Sequence, residues 1–446
     1  MRIVISGAGE IGTHLAEMLA RDKHDIVVID LSEENLKFAD NHFDILSIQG
    51  SSTSFETLKE AKVKSADLLI SVTDSEEVNI LTAIVGKSLG AKKTIARIDT
   101  KEFLTKQSKD YFTNLGVDIL ICPENLAAME IAGLLKQVGT TEVFEFSSGI
   151  LSLVVIRLDE ESKIIGKSLE ETDAINPNFD FRAVAITRNN KTIIPKGNDV
   201  FQNDDFVYVV TNKEGIKEVL KYAGKEKFDI GNIMILGGSR IGKRAAKALE
   251  GHLHVKLIEA KKEKCFFLAD FLEKTLVING DGTNIALLKE EGLEKMDAFI
   301  AVTGNSETNI LSCLLAKSYG VKKAIAEIEN IDYIDLAENI GIDTIINKKL
   351  LAASHIFKYT KSADVASLRC LTGADAEVIE LIAREGSTIT KKQVKDLKFP
   401  KEAIIGGLVR ENAAFIVKGN TEIIAGDKVV VFTLPSAINR VQEFFS

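Results

Sequence analysis

Two glycine-rich segments contain the residues of this sequence that are best suited to binding a phosphate group. The first consists of Gly7, Ala8, Gly9, Glu10, Ile11 and Gly12, and the second consists of Gly237, Gly238, Ser239, Arg240, Ile241 and Gly242. Each follows a short apolar run and opens a helical pattern, so unpaired N–H groups and the positive end of a helix dipole meet at the turn. We therefore expect both turns to bind a pyrophosphate.

The three glycines of the first turn have separate roles in this interpretation. Gly7 permits the tight turn, Gly9 lets the ligand approach the backbone, and Gly12 permits close packing of helix on strand. Ser239 stands where the first turn has Gly9. Its Cβ would crowd a phosphate, although its hydroxyl could donate a hydrogen bond. We therefore predict that the second turn binds nucleotide more weakly or prefers a different one.

An acidic residue follows each turn at the spacing of dinucleotide-binding units, about 20 residues downstream. Asp30 follows the first turn and Glu259 the second. Asp30 would accept hydrogen bonds from ribose hydroxyls and repel a 2′-phosphate, so NAD(H) or an adenine nucleotide fits better than NADP(H). Lys261 and Lys262 leave phosphate tolerance open beside Glu259. The alternative for Asp30 is that it only caps the next helix, and the upstream glycines favour ligand contact.

Further candidate ligand contacts lie where predicted strands end, because ligands of open α/β sheets bind at the carboxyl ends of strands. In the first half they are Gly50, Ser51, Thr73, Asp74 and Asn79, and in the second half they are Gly280, Asp281, Thr303 and Asn309. Gly50-Ser51 and Gly280-Asp281 end the third strands and should lie near the adenine. Turn and helix-cap chemistry explains the same residues equally well.

Arg97 lies within the predicted fifth strand, which spans Thr94–Ile98. An arginine inside a buried parallel strand needs an anion, whether a carboxylate or a phosphate. Its counterpart in the second half is Glu327. Because the charge is reversed, the two sites should not respond identically to a polyphosphate.

Neither catalysis nor metal binding is indicated. The six histidines form no recognisable triad with a cysteine or serine, and the four cysteines are scattered without a C-x-x-C spacing. We assign no catalytic group and no metal ion. The cysteines are interpreted as buried hydrophobes in a reducing compartment.

The elements that would position these residues alternate between short apolar strands and helical patterns. This alternation predicts a doubly wound parallel sheet of Rossmann-like type. The plan recurs in the second half at an offset of 230 residues, as in Asn79-Ile80-Leu81 and Asn309-Ile310-Leu311. A segment of short strands and frequent turns follows each copy. We therefore predict two Rossmann-like α/β domains, at 1–139 and 227–366, each followed by a small α+β domain, at 140–226 and 367–446.

Composition bounds the class of protein. The 446 residues are 45% hydrophobic and 27% charged, with a net charge of -9, which argues against a non-specific nucleic-acid binder. The apolar runs are strand-sized, well short of the about 20 residues that cross a membrane as a helix. The sequence opens directly in a strand pattern, which leaves no room for a signal peptide. We expect a cytosolic protein that could dock onto a membrane partner.

The whole chain resembles a known family. The marks are residues 5–12 (Ile-Ser-Gly-Ala-Gly-Glu-Ile-Gly), Ile29-Asp30, residues 95–98 (Ile-Ala-Arg-Ile) and the second glycine turn, 237–242. The sequence is similar to the TrkA family, cytosolic subunits of Trk potassium uptake systems. These proteins are built from RCK domains (also called KTN domains), each paired with an RCK-C domain. Ser51 stands where aspartate is frequent in the family, and Glu327 stands where an arginine would match.

The resemblance implies a regulatory subunit that performs no chemistry. It implies binding of NAD(H) and of ATP or ADP, with Gly7–Gly12 and Asp30 holding the dinucleotide and Arg97 contacting phosphates. It also implies a homo-oligomer, a tetramer with a ring of RCK units, on the cytoplasmic face of the membrane. The partner implied is a membrane-embedded potassium translocating subunit of TrkH or TrkG type. Alternatives are an NAD-dependent oxidoreductase, for which the small domains offer no catalytic pairing, and a regulator of another cation transporter or antiporter.

Overall fold

The computed structural model describes residues 1–21, 24–136, 142–175, 181–189, 191–224, 230–360, 365–370 and 376–446. Its strands are β1 Arg2–Ser6, β2 Asp25–Asp30, β3 Leu46–Gln49, β4 Leu68–Ser71, β5 Lys93–Arg97, β6 Ile119–Ile121, β7 Glu142–Phe146, β8 Leu151–Arg157, β9 Phe181–Arg188, β10 Lys191–Ile193, β11 Phe206–Asn212, β12 Asn232–Leu236, β13 His254–Glu259, β14 Leu276–Asn279, β15 Ala298–Ala301, β16 Lys323–Glu327, β17 Thr344–Ile346, β18 Val365–Cys370, β19 Glu377–Ile382, β20 Ala403–Arg410, β21 Ala413–Ile416 and β22 Lys428–Thr433.

Helices connect these strands. They are α1 Glu10–Arg21, α2 Glu33–His42, α3 Phe55–Glu60, α4 Glu76–Leu89, α5 Lys106–Asn114, α6 Pro123–Lys136, α7 Leu169–Ile175, α8 Gly215–Tyr222, α9 Arg240–Leu249, α10 Lys262–Phe271, α11 Ile285–Glu290, α12 Ser306–Ser318, α13 Ile334–Asn339, α14 Lys348–Phe357 and α15 Ile438–Phe445. Among the described residues, no helix has the length and apolarity needed to cross a membrane.

Residue contacts divide the chain into two units. The first comprises Met1–Met129 and Asn347–Thr360, and the second comprises Glu130–Ile346 and Lys361–Ser446. The domain limits predicted at 139–140 and 226–227 lie outside the described residues, and the four-domain division stays a prediction.

The first unit contains a six-stranded parallel sheet in the order β3-β2-β1-β4-β5-β6. Every residue of the central strand β4 is buried, as expected for a strand covered by helices on both faces. The order reverses between β1 and β4, and such a reversal opens a crevice beyond the carboxyl ends of the strands. The predicted doubly wound Rossmann-like class is confirmed.

The fifth strand differs from the prediction in its position. β5 spans Lys93–Arg97 rather than Thr94–Ile98, so Arg97 is its last residue and not an interior one. The prediction followed the apolar run to Ile98, but pairing with β6 stops at Arg97. Arg97 therefore lies at the edge of the crevice.

The second unit contains a parallel sheet with the same plan, in the order β14-β13-β12-β15-β16-β17. Its glycine turn joins β12 to α9, and Glu259 ends β13. The repeat seen in the sequence is thus a repeat of three-dimensional structure.

Helix α14 follows the second parallel sheet along the chain but belongs by contact to the first unit. It packs against α1, and its residues Ala352, Ala353, Ile356 and Phe357 are buried. Lys93, which begins β5, places its ammonium 5.4 Å from the centre of the Tyr359 ring just beyond α14. The first sheet is therefore covered in part by a helix from the other half of the sequence.

Two five-stranded sheets lie in the second unit, in the orders β10-β9-β11-β8-β7 and β18-β19-β22-β20-β21, and their described pairings are antiparallel. They share one apolar core, in which the rings of Tyr208 and Phe432 lie 5.9 Å apart. Gly406 permits this contact, because a Cβ there would lie 2.6 Å from the side chain of Val210. The predicted small α+β segments are confirmed, and their sheets are antiparallel, unlike the parallel sheets of the Rossmann-like segments.

Candidate functional site

The first glycine turn has one geometric reason for each of its glycines. Gly7 has a φ of 103°, which favours glycine, and a Cβ there would lie 2.9 Å from the backbone nitrogen of Thr73. A Cβ on Gly12 would overlap the carbonyl oxygen of Gly7. At Gly9, by contrast, a Cβ would meet nothing within 4 Å. The turn is packed tightly behind and open at the position that a phosphate must approach.

Asp30 ties this turn to the next one. Its carboxylate accepts a hydrogen bond from the N–H of Ala8 at 2.6 Å and another from the N–H of Ser32 at 2.7 Å. The N-cap of α2 is Ser32, whose hydroxyl accepts from the N–H of Asn35, so the simple capping role considered for Asp30 is wrong. Asp30 is partly exposed. A carboxylate held in this way is oriented beside the glycine turn.

The second glycine turn has the same backbone but a different filling. Gly237 has a φ of 107°, and a Cβ on Gly242 would overlap the carbonyl oxygen of Gly237. Ser239 is the N-cap of α9, and its hydroxyl accepts a hydrogen bond from the N–H of Gly242 at 3.2 Å. One helix-start N–H thus already has a protein partner. This hydrogen bond is a physical reason for predicting that the second turn binds a nucleotide more weakly.

Glu259 repeats the arrangement of Asp30 at the second turn. It accepts from the N–H of Gly238 at 3.0 Å and from the N–H of Lys261 at 2.8 Å. Only 8% of Glu259 is exposed. A Cβ on Gly238 would lie 2.5 Å from the Leu268 side chain, so the second turn is also more crowded.

Asn79 supports the crevice from below. Its Oδ1 accepts from the backbone N–H and the hydroxyl of Thr73, at 2.8 and 2.7 Å. Its Nδ2 donates to the carbonyl oxygens of Thr73 and Arg97, at 2.9 and 3.0 Å. The side chain is fully buried and all four of its hydrogen-bonding positions are used. Asn79 therefore fixes the end of β4 against the end of β5.

Asn309 does the same in the second sheet. Its Oδ1 accepts from the N–H and hydroxyl of Thr303, at 3.0 and 2.6 Å, and its Nδ2 donates to the carbonyl of Glu327 at 2.8 Å. The helix caps beside these residues are Ser75 for α4 and Asn305 for α12. Both asparagines are thus supports of the turn, the role that the sequence left as an alternative to ligand contact.

The third strands end in turns beside the acidic residues. The N–H of Gly50 donates to the carbonyl of Asp30 at 2.9 Å, and the N–H of Gly280 donates to that of Glu259 at 3.0 Å. The hydroxyl of Ser51 lies 2.9 Å from that of Thr53.

At the corresponding place in the second sheet, the backbone N–H and hydroxyl of Thr283 donate to Asp281 and lower the pKa of its carboxyl group. In each turn the polar side chains form hydrogen bonds with one another, and the backbone lies next to the acidic residue at which a ribose is predicted.

The anions beside the Arg97 guanidinium are two carboxylates. Its Nη1 lies 3.3 Å from Asp74 and its Nη2 lies 3.9 Å from Asp99, while only 16% of its side chain is exposed. Asp74 is fully exposed, so solvent weakens its hold on the guanidinium. The Nε of Arg97 is buried without a hydrogen-bond partner among the described residues. Such a guanidinium has capacity for a further anion.

The counterpart of Arg97 is a buried acid. Glu327 ends β16 and is 3% exposed. The predicted reversal of charge therefore occurs at the same point of the two sheets, at the edge of each crevice. A polyphosphate would meet a cation at the first site and a carboxylate at the second.

Lys349 is a residue of the first site that the sequence did not reveal. It is the second residue of α14, only 8% of its side chain is exposed, and its ammonium forms an ion pair with Glu10. Glu10 is the first residue of α1, where the phosphate is expected, and is 72% exposed. The signal available in the sequence was a second charge difference, since the repeat places Glu124 at the position of Lys349.

The first site therefore fits a phosphate-bearing nucleotide. It combines an open glycine turn at a helix start, an oriented carboxylate, and two cationic side chains, Arg97 and Lys349. Among the described residues, no group of three His, Cys, Asp or Glu side chains is arranged to hold a metal ion. Cys122, Cys265 and Cys313 are buried free thiols.

Comparison with known proteins follows the same division of the chain. The family model of the TrkA-N domain matches residues 3–123 and 233–348, and that of the TrkA-C domain matches residues 153–224 and 378–446. The Trk system potassium uptake protein TrkA homolog 1 of Methanosarcina mazei is 34% identical over 454 residues, covering 100% of both chains. The TrkA homolog of Archaeoglobus fulgidus is 34% identical over 447 residues, with the same coverage.

Solved structures show the same fold. The GsuK channel bound to NAD aligns with a TM-score of 0.62 and 16% identity, over 100% of this chain and 78% of that one. GsuK bound to ADP aligns with a TM-score of 0.51 and 15% identity, over 81% of this chain and 69% of that one. Since both domain models match in both halves, and full-length relatives share a third of their residues with it, the chain belongs to the TrkA family of Trk system potassium uptake proteins.

Proposed function

We propose that this protein is the nucleotide-binding regulatory subunit of a Trk-type potassium uptake system. In this proposal it binds NAD(H) and ATP or ADP, leaves them chemically intact, and controls a membrane-embedded potassium translocating subunit of TrkH or TrkG type. It acts in the cytoplasm, attached to the inner face of the membrane through that partner. Membership of the TrkA family supports the potassium system, and the first crevice supports the nucleotide.

The observation that carries the proposal is the first glycine turn with its oriented acid. Gly9 is open, the N–H groups at the start of α1 are available to a pyrophosphate, and Asp30 is held beside them. The hydroxyls of a ribose would donate hydrogen bonds to Asp30, and the backbone at Gly50 and Ser51 would border the adenosine. GsuK has been solved bound to NAD and bound to ADP, which supports the same ligand class here.

Arg97 and Lys349 extend the proposal to the phosphates. Arg97 would exchange its weak contact with Asp74 for a phosphate oxygen, while Lys349 would offset the charge of the pyrophosphate near Glu10. Thr73 and Asp74 form the turn between them. The number of phosphates then determines how much of this cationic edge is used, which distinguishes ATP from ADP and from a dinucleotide.

The second site has a different role in the proposal. Ser239 occupies a helix-start N–H and Glu327 replaces the cation, so the turn at Gly237–Gly242 would bind a polyphosphate more weakly. Arg240, which follows Ser239, would attract one phosphate and Glu259 would face the ribose, while Glu327 would repel further phosphates, so this turn would prefer ligands with fewer phosphates. One chain would thus present two unequal sites.

Regulation requires that nucleotide binding depends on the state of the assembly. A ligand shifts an equilibrium only by its difference in affinity for the two states. We propose that the chain forms a homo-oligomer, a tetramer with a ring of RCK units, in which nucleotides at the crevices favour one arrangement. That arrangement then controls potassium translocation by the membrane subunit.

The test is calorimetric titration of the purified protein with NADH, ATP and ADP. We expect binding of all three, and Asp30→Ala should weaken NADH binding more than Glu259→Ala does, because the first turn is the open one. Failure of the wild type to bind any of the three would end the proposal. Loss of NADH absorbance on incubation with candidate substrates would instead favour the alternative of an oxidoreductase.

A further inference from the structure

Three phenylalanines of α10 are exposed to solvent. Phe266 is 65% exposed, Phe267 is 60% exposed and Phe271 is 39% exposed. Phe267 and Phe271, four residues apart, lie on the same side of the helix, and Phe266 lies next to them, about 100° around the helix axis from Phe267. Leu276 of the neighbouring edge strand β14 adds a further exposed apolar side chain, at 53%. We name this surface, formed by Phe266, Phe267, Phe271 and Leu276, the aromatic face.

Lysines border the aromatic face and cover part of it. The ammonium of Lys243, on α9, lies 4.8 Å from the centre of the Phe267 ring and 4.5 Å from that of Phe271. Lys247 lies 5.8 Å from the Phe271 ring. A second group of lysines, Lys261, Lys262 and Lys264, is exposed at the start of α10. The aromatic rings and the cations thus form a single surface of the second unit.

The stretch of chain that carries this surface has a net charge opposite to that of its repeat and of the whole chain. From Arg240 to Phe271 there are eight Lys and Arg residues against four Asp and Glu residues. The corresponding stretch of the first half, Glu10–His42, has three against eight, and the chain carries a net charge of -9. Counted from the matching acids Asp30 and Glu259, the first half has an exposed lysine, Lys37, at the position of Phe266 and a phenylalanine, Phe38, at that of Phe267. The second half therefore differs at this place by the ring of Phe266 and by its positive charge.

Exposed aromatic rings among lysines match the chemistry of an anionic lipid surface. Phenylalanine inserts at the boundary between headgroups and acyl chains, and each nearby lysine gains attraction from anionic headgroups. Protein interfaces, in contrast, are depleted in lysine. We propose that the aromatic face binds the anionic lipid headgroup layer of a membrane, with Phe266 and Phe267 inserted and the lysines at the headgroups. This inference does not require the proposed nucleotide function.

Sedimentation with lipid vesicles tests the proposal on the full chain. We expect binding to vesicles of phosphatidylcholine with phosphatidylglycerol, weaker binding in high salt, and little binding to phosphatidylcholine alone. The double variant Phe266→Ser/Phe267→Ser should bind at least about tenfold more weakly, since two large apolar side chains no longer leave water. Lys262→Glu/Lys264→Glu should lose the preference for anionic vesicles.

The control is Phe55→Ser/Leu81→Ser, which removes two residues of the first half that are 55% and 48% exposed. It should bind vesicles as the wild type does. All substituted side chains are exposed, and unchanged thermal unfolding would show that the fold is kept. Three results would each overturn the proposal: no binding to anionic vesicles, equal loss in the control, or unchanged binding by the Phe266/Phe267 variant. A change in oligomeric state caused by that variant, without vesicle binding by the wild type, would assign the face to a protein contact instead.

Discussion

Arg97 holds its anions weakly for a buried guanidinium. One partner, Asp74, is fully exposed, and the other, Asp99, lies at 3.9 Å. Burial of a charge requires good compensation, so this pairing leaves the arginine able to accept a better anion. That inference could be made from the sequence, since any arginine at a buried strand must find an anion, but the sequence could not say which one.

We predict that Arg97→Ala weakens ATP binding about tenfold or more, as expected for a lost charge-assisted hydrogen bond. Asp74→Asn should have the opposite effect, because it removes the competing anion and leaves a fully exposed side chain of similar shape. Calorimetric titration with ATP and ADP measures both. Unchanged ATP and ADP affinities in Arg97→Ala would remove Arg97 from the site.

A second prediction concerns Lys349 and Glu10. Lys349→Met keeps most of the buried volume but removes the cation at the start of α1, so NADH binding should weaken several-fold, as for a lost ion contact near the surface. Glu10→Gln should strengthen it, since the carboxylate that pairs with the lysine is then replaced by a neutral amide. The control is Lys37→Met, which breaks an exposed ion pair with Glu33 and should leave the affinity for NADH unchanged. Equal effects of Lys349→Met and Lys37→Met would contradict a role at the phosphate.

The sequence could not distinguish support residues from ligand contacts. Asn79 follows a strand end in a manner that suits both roles, and its supporting role is visible only in the hydrogen bond from its amide to the Arg97 carbonyl on another strand. Lys349 was missed for a related reason. Its relevance depends on which sheet α14 packs against, and helix packing between distant parts of a chain is not encoded in local periodicity.

At the scale of the element, the fifth strand was predicted to within one residue at each end because its apolar run is continuous. Its exact end was not predictable, since β5 stops where its neighbour β6 stops pairing rather than where the apolar run stops. The two glycine turns were predictable because only glycine tolerates the φ of 103° and 107° and the overlap at the third position.

Ser239 offers a test at this scale. Ser239→Gly should cost only a few tenths of a kcal/mol as a helix cap, and should increase nucleotide binding at the second turn by freeing the N–H of Gly242. Ser239→Ala should cost about 1 kcal/mol and leave the Cβ in place, so it serves as the matched control. Binding stoichiometry and urea unfolding measure the two quantities. An increase in stoichiometry with glycine alone would assign the limit to the Cβ of Ser239 rather than to its hydroxyl, and no increase with either variant would show that Ser239 does not limit this site.

At the scale of the whole molecule, the second unit joins different sheets through particular groups. Arg157 of β8 donates to the carbonyl oxygen of Glu338 in α13 at 3.2 Å, and its other terminal nitrogen lies 2.9 Å from Asp204. Burial, together with the nearby charge of Asp335, raises the pKa of the Glu338 carboxyl group to about 7. A titrating group thus lies where a parallel-sheet domain meets a small sheet.

We predict that this group makes stability depend on pH. Because its pKa is higher in the folded protein than the unfolded value of 4.5, Glu338 costs nothing below pH 4.5, and stability falls as the pH rises towards 7. Glu338→Gln should therefore raise stability at pH 8 by about 1–3 kcal/mol and have little effect at pH 4. Urea unfolding at both values measures this, with exposed Glu290→Gln as control. Equal effects of Glu338→Gln at the two pH values would contradict the assignment.

The placement of α14 has a consequence for how such a chain can evolve and be divided. A gene half this long would encode the α1 surface but not residues 347–360 that cover it, so its product would have to borrow the missing helix from another molecule. In a single polypeptide the covering helix is always present, and the two halves of the chain no longer need to have identical contact surfaces. The two halves can then differ in sequence at matching positions. Gly9 in the first turn matches Ser239 in the second, and Lys349 in α14 matches Glu124 in α6.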